Sequence, residues 1–204
     1  MKKIIKQIIK CTLLITLFSY ANSVKASNPV HISSHYFMPS WEATSSSQDF
    51  DADGSGFIIS LDYGKPWGLF GGISYFYASG DADYFVGSPV NTTITGELSS
   101  SGLIFDAGVR YPLSEALWVS TSIGTSINTI DASGFIFNGQ NLLNDDNRAT
   151  SMHWKLSVLY NLSSNGIVEL SYHDFSSNDL SWEGTNEPID VSLSGISLGY
   201  KITL

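Results

Sequence analysis

The sequence predicts an all-β fold, an eight-stranded antiparallel up-and-down barrel that crosses a membrane as strands. Three observations predict it. Long segments alternate apolar and polar residues with period two, a Tyr recurs just before each short connection, and no apolar stretch past residue 26 approaches the roughly 20 residues of a membrane helix.

The N-terminal unit stands apart from that pattern. Lys2, Lys3, Lys6 and Lys10 lead into the apolar run CTLLITLFSYA, which is too short to span a bilayer as a helix and reads as a secretory signal peptide. The small-residue rule favours cleavage after Ala26, with Ala21 as a second candidate, so residues 1–26 form the signal peptide and 27–204 the barrel domain. Cleavage would remove five of the ten Lys and Arg and none of the nineteen acids. The formal charge then goes from -9 to -14, five bases against nineteen acids. So acidic a chain argues against nucleic acid and against a polybasic membrane patch. Cys11 is the only cysteine and lies in the signal peptide, which leaves no disulfide, thiol chemistry or lipid anchor. Nothing in the sequence calls for a cofactor, and four His without a Cys argue against structural zinc.

Four strings set the architecture: LDYG ending at Gly64, VRYP at Pro112, VLYN at Asn161 and LGYK at Lys201. Each closes an alternating segment, and the first three run at once into a short connection. Tyr63, Tyr111, Tyr160 and Tyr200 are spaced 48, 49 and 40 residues apart, the mark of repeating hairpins. Longer polar segments, approximately 39–56, 79–97, 128–150 and 174–190, separate these turns. Short turns alternating with long loops characterise membrane barrels.

The strand faces follow in order. One face carries Val30, Ile32, Tyr36 and Met38; Phe57, Ile59, Leu61 and Tyr63; Leu69, Ile73, Tyr75 and Tyr77; and Leu103, Phe105, Ala107, Val109 and Tyr111. It continues with Leu117, Val119, Ile123 and Ile127; Met152, Trp154, Leu156, Val158 and Tyr160; Val168, Leu170 and Tyr172; and Ile196, Leu198, Tyr200, Ile202 and Leu204. These side chains are expected to meet lipid, with the four turn tyrosines as an interfacial belt. A soluble sandwich would bury this face and give the tyrosines no reason to recur.

The opposite face holds every charge that falls within a strand core: Asp62, Asp106 and Glu169 against Arg110, Lys155 and Lys201. Eight strands enclose a space that side chains can fill. Three acids and three bases there are expected to neutralise one another as a salt-bridge plug, because an unpaired buried charge is costly. A narrow gated channel is the functional alternative. His31, His35, His153 and His173 share the inward parity, and polar filling outweighs metal binding for them because no His-x-x-x-His spacing occurs.

At this point the mature chain resembles the small OmpA/OmpX-like outer-membrane β-barrel family. The resemblance rests on the alternation, the Tyr-closed turns and the C-terminal ISLGYKITL, which alternates like the insertion signal such proteins present to the barrel assembly machinery but ends in Leu204 where the family usually has Phe. It implies integral residence in the Gram-negative outer membrane, periplasmic termini, long extracellular loops, and outer-membrane lipid and lipopolysaccharide as surroundings. It also implies a non-enzymatic role in envelope integrity or surface interaction.

Two local motifs offer alternatives. DADGSGFIISLD, residues 51–62, carries most of a twelve-residue calcium-loop signature, but Phe57, Ile59 and Leu61 make its second half a strand. A looser calcium site in the first loop would use Asp49, Asp51, Asp53 and Ser55, with an acidic solvated loop as the plainer reading. YHDFSSND resembles, imperfectly, the His-x-Ser-Asn pattern of the lipid A deacylase family. That likeness implies His173 as base, Ser176 as nucleophile, and Glu183 or Glu187 orienting the His, although here the Ser lies three residues beyond the His.

Overall fold

The computed structural model describes residues 29–44, 49–64, 68–86, 92–137, 140–163, 165–180 and 189–204. The expected signal peptide, both cleavage candidates, and Glu183 and Glu187 lie outside them. Eight strands run β1 (Val30–Thr44), β2 (Asp49–Gly64), β3 (Gly68–Val86), β4 (Thr92–Pro112), β5 (Leu117–Phe137), β6 (Gln140–Asn161), β7 (Gly166–Leu180) and β8 (Ile189–Thr203). Each pairs antiparallel with the next, and β1 pairs with β8 to close the barrel. A row of paired residues that leaves β1 at Trp41 passes Leu193, Phe175, His153, Gly124, Asp106, Gly72 and Asp62, and returns at His31, ten residues lower. A shear of that size in eight strands sets a tilt of roughly 40–45° and an interior that side chains can fill.

The alternation partitions the wall as expected. Outward positions such as Leu69, Tyr111, Ile123, Leu156 and Leu198 are exposed apolar residues, forming a band about nine residues long on each strand. Tyr63, Tyr111, Tyr160 and Tyr200 ring the outer face beside the tight turns. A second ring of Tyr36, Phe57, Tyr75, Tyr77, Trp154 and Tyr172 lies higher on the same face, with Phe57 packed on Tyr75 and Tyr77 and Trp154 on Tyr172. Two aromatic rings flanking an apolar band are what the two interfaces of a bilayer select.

The tight turns are closed by their own backbone. Leu113 and Ser114 donate to the Leu117 carbonyl, and Leu162 and Ser163 to that of Gly166. At the opposite end the structure corrects the expected loops. Pairing continues to Thr44↔Asp49, Val86↔Thr92 and Phe137↔Gln140, so most of 39–56, 79–97 and 128–150 is strand. The physical reason is that inward positions stay small and apolar beyond the lipid band, among them Ala52, Ala82, Leu98, Ile130 and Ala132, while outward positions turn to Asp, Glu, Ser and Thr. The core therefore extends past the membrane, and the hairpins extend with it.

Candidate functional site: the filled lumen

The lumen is layered along the barrel axis. Nearest the tight turns, Arg110 lies over the Phe70 ring, 4.1 Å from its centroid. Next comes the ionic layer. Asp62 Oδ2 accepts from Arg110 Nη2 and from Lys201 Nζ, both at 2.8 Å. Lys201 also reaches Glu169 Oε2 at 2.7 Å, and Lys155 Nζ lies 3.4 Å from Glu169 Oε1. A chain of alternating charge thus runs Arg110, Asp62, Lys201, Glu169, Lys155 across β4, β2, β8, β7 and β6. All five side chains are buried, and Glu169 is 0% exposed.

Of the six charges expected to form a plug, Asp106 is held differently. Its Oδ2 accepts from the Ser122 hydroxyl at 2.8 Å, and it makes no ion pair within 4 Å among the described residues. Gly72 explains how two acids fit side by side. It pairs with Asp62 on one side and Asp106 on the other, and a Cβ there would sit 2.6 Å from Asp62 Oδ1 and 2.9 Å from Asp106 Oδ1. Only a residue without a side chain leaves that space to the carboxylates.

Above the ionic layer three histidines join into one hydrogen-bonded chain. His153 Nε2 and His173 Nδ1 are 3.2 Å apart, His173 Nε2 meets Ser197 Oγ at 2.9 Å, and Ser197 Oγ lies 3.4 Å from His35 Nδ1. His35 Nε2 reaches Ser33 Oγ at 3.0 Å and lies 3.9 Å from Glu169 Oε2, so the histidine chain adjoins the ionic one. Opposite His35 stands Gly199, where a Cβ would collide with the imidazole. His31 lies lower and bonds Thr203 Oγ1 at 3.0 Å. The serines of this network, Ser33, Ser171, Ser197 and Ser122, were not singled out from the sequence. Their inward parity beside the charges is the signal that could have found them.

An aromatic layer covers the histidines. Phe175 packs at a tilt against His153, centroids 4.6 Å apart, and against Phe76 at 4.9 Å, and Phe37 meets the His173 ring edge-on at 5.6 Å. Beyond it lie Trp41, Leu98, Ile130 and Val191, buried like Phe37 and Phe76. A water path wide enough for ions would leave such side chains accessible, and Phe37, Trp41 and Phe76 are at 0%.

The remaining candidates are not brought together. Asp49–Ser55 is strand, not loop, so Asp49, Asp51, Asp53 and Ser55 are strung along one extended segment whose first and last backbone positions are about 20 Å apart at ~3.3 Å per residue. Asp53 and Ser55 are exposed, while the side chains of Asp49 and Asp51 lie outside the described residues. Of this candidate only the Asp53 and Ser55 side chains are described, and no metal-holding group of three or more His, Cys, Asp or Glu occurs among the described residues. The His173–Ser176 pair is separated by parity. His173 points into the lumen and bonds Ser197, whereas Ser176 is exposed on the outer face and donates to Asp174 Oδ1 at 3.3 Å. The barrel wall stands between them.

The chain matches no protein-family model and no curated protein sequence. It is similar in structure to Neisserial surface protein A, with 13% identity, 85% of this chain and 96% of that chain covered, and a TM-score of 0.60. It is also similar to the outer membrane protein OprG of Pseudomonas aeruginosa, with 13% identity, coverage of 87% and 96%, and a TM-score of 0.50. At that identity the likeness speaks to architecture: the chain has the fold of the small outer-membrane β-barrels of Gram-negative bacteria.

Proposed function

We propose that this is a non-enzymatic outer-membrane protein whose barrel is a closed membrane anchor and whose strand extensions and loops are its working surface, serving envelope integrity or surface interaction. The observation that carries the reading is the filled lumen, an ionic layer, a histidine layer and an aromatic layer stacked without an accessible path. In this reading the termini and tight turns face the periplasm and the extended hairpins stand outside the cell. The barrel assembly machinery reads the C-terminal strand during insertion. The apolar band takes outer-membrane lipid. The acidic outer wall meets lipopolysaccharide phosphates only through bridging divalent cations, because direct contact is repulsive.

Two measurements test this together. Purified protein in planar bilayers is expected to give no steady conductance, and lipid A from cells expressing it is expected to be unchanged by mass spectrometry. Large steady currents would overturn the closed lumen. A lost or added acyl chain that depends on the protein would make it an enzyme.

A further inference from the structure

The histidine layer constrains its own hydrogens. His153, His173, Ser197 and His35 stand in line, ending at Ser33 and Glu169, and all six side chains are buried. Each link takes one hydrogen and one lone pair, and a neutral imidazole carries one N–H and one bare nitrogen. All links therefore point the same way. If His153 Nε2 donates, His173 Nδ1 is bare and the His173 Nε2–H donates to Ser197 Oγ. The Ser197 hydroxyl then donates to His35 Nδ1, and the His35 Nε2–H faces Ser33 Oγ and, 3.9 Å away, Glu169 Oε2. The reverse direction leaves an N–H at His153 Nδ1, which is buried without a partner, and turns a His35 lone pair towards the Glu169 carboxylate. A buried N–H without an acceptor is rare, and a lone pair against a carboxylate is repulsive. The forward direction is the resting one, with all three rings in the Nε2–H tautomer.

That arrangement has room for one more proton. A proton taken up at His153 Nδ1 sends the His153 Nε2 hydrogen to His173 Nδ1, the His173 Nε2 hydrogen to Ser197 Oγ, and the Ser197 hydrogen to His35 Nδ1. Every hydrogen bond survives with its direction reversed, and His35 now carries two N–H groups and the added charge. A second proton would set donor against donor. The charge rests at His35 because Glu169 is there, whereas His153 and His173 have no carboxylate within 4 Å among the described residues.

The charged groups that face this line are Asp62 on β2, Asp106 and Arg110 on β4, Lys155 on β6, Glu169 on β7 and Lys201 on β8, with His31 lower on β1. β3 and β5 bring no titratable side chain into the lumen among the described residues. Three acids and three bases balance at rest, so the extra proton leaves the lumen with one positive charge in excess. It falls on Glu169, which already serves Lys201 at 2.7 Å and Lys155 at 3.4 Å. Lys155, at the longer distance, is the cation that gives way.

We propose that the lumen holds a one-proton switch, in which acid reverses the histidine line, places an imidazolium at His35 beside Glu169, and loosens the Glu169–Lys155 pair. This goes beyond the reading of the barrel as a closed anchor and is independent of the loops.

The test is nitrogen NMR of the imidazole rings in the full folded protein in lipid nanodiscs, with each ring assigned through its own backbone. At about pH 8 the rings of His35, His153 and His173 should all carry hydrogen on Nε2. On lowering the pH to roughly 4, His35 should become doubly protonated, while His153 and His173 stay neutral and change to the Nδ1–H tautomer at the same midpoint. Lys155→Met removes the cation that competes for Glu169 and should raise that midpoint by about one pH unit, tenfold in proton affinity. Ser197→Ala cuts the line and should uncouple the tautomer change from His35. Five results would overturn the inference: Nδ1–H tautomers at rest; the second proton on His153 or His173; no doubly protonated ring in the folded barrel down to about pH 4; a midpoint that Lys155→Met leaves unmoved; or a tautomer change that still follows His35 in Ser197→Ala. The first three are read on the unsubstituted chain and decide the matter even where a variant does not fold.

Discussion

Glu169→Gln isolates the ionic layer with the least change of shape. Glu169 is fully buried and serves Lys201 at 2.7 Å, Lys155 at 3.4 Å and the Ser171 hydroxyl at 3.1 Å. The amide keeps an acceptor for Ser171 but removes the negative charge. Lys201 retains Asp62 at 2.8 Å, whereas Lys155 has no other carboxylate within 4 Å among the described residues. Breaking a buried pair by removing one partner costs about 3–5 kcal/mol, because the remaining charge is buried without compensation. With a denaturant slope of ~1–3 kcal/mol per molar urea, the unfolding midpoint in lipid vesicles should fall by roughly 1–5 M. Tryptophan fluorescence and the heat-dependent shift in gel mobility report the transition. Adding Lys155→Met removes the stranded charge at similar volume and should recover at least half of the loss. The reasoning is refuted if Glu169→Gln costs less than about 1 kcal/mol, or if the double variant is no more stable than the single one.

Other substitutions probe the remaining layers and the wall. Gly72→Ala pushes a methyl between the Asp62 and Asp106 carboxylates and should cost about 1–3 kcal/mol in the same urea assay. Phe175→Ala empties the space between Phe76 and His153, with an expected loss of about 3–5 kcal/mol, again read from the unfolding midpoint. Leu156→Arg places a charge near the middle of the lipid band and should cost about 2–4 kcal/mol, measured by equilibrium folding into vesicles, while Thr150→Arg on the outer face above the band should be nearly neutral.

Much of this was legible in the sequence because period two survives in every strand. Asp62, Arg110, Glu169 and Lys201 could be assigned to the inner face from parity alone, and the turn tyrosines to the outer. The extent of the hairpins was not legible, because a polar outer face and a polar loop have the same composition. At Asp53 and Asp81 it marks only the departure of lipid from the outer face, while Ala52 and Ala82 keep the inner face packed. The joining of His35, His153 and His173 was not legible either. They lie on three strands, and which of them share a level depends on the ten-residue shear, a property of closure that no single segment encodes. Gly72 and Gly199 were invisible for a related reason, since the side chains that need their space come from neighbouring strands.

The closed lumen is tested most directly by thiol accessibility at Ser197, which is 0% exposed at the junction of the histidine and ionic layers. In a Cys11→Ser background the chain has no other cysteine, so Ser197→Cys carries a single thiol, with Thr95→Cys on the exposed outer wall as the reactive control. A membrane-impermeant maleimide applied to both sides of the folded protein in vesicles should label Thr95→Cys at once and Ser197→Cys only after unfolding. Rapid labelling of Ser197→Cys in the folded barrel would mean that water and solutes reach the middle of the lumen, and would contradict the plug.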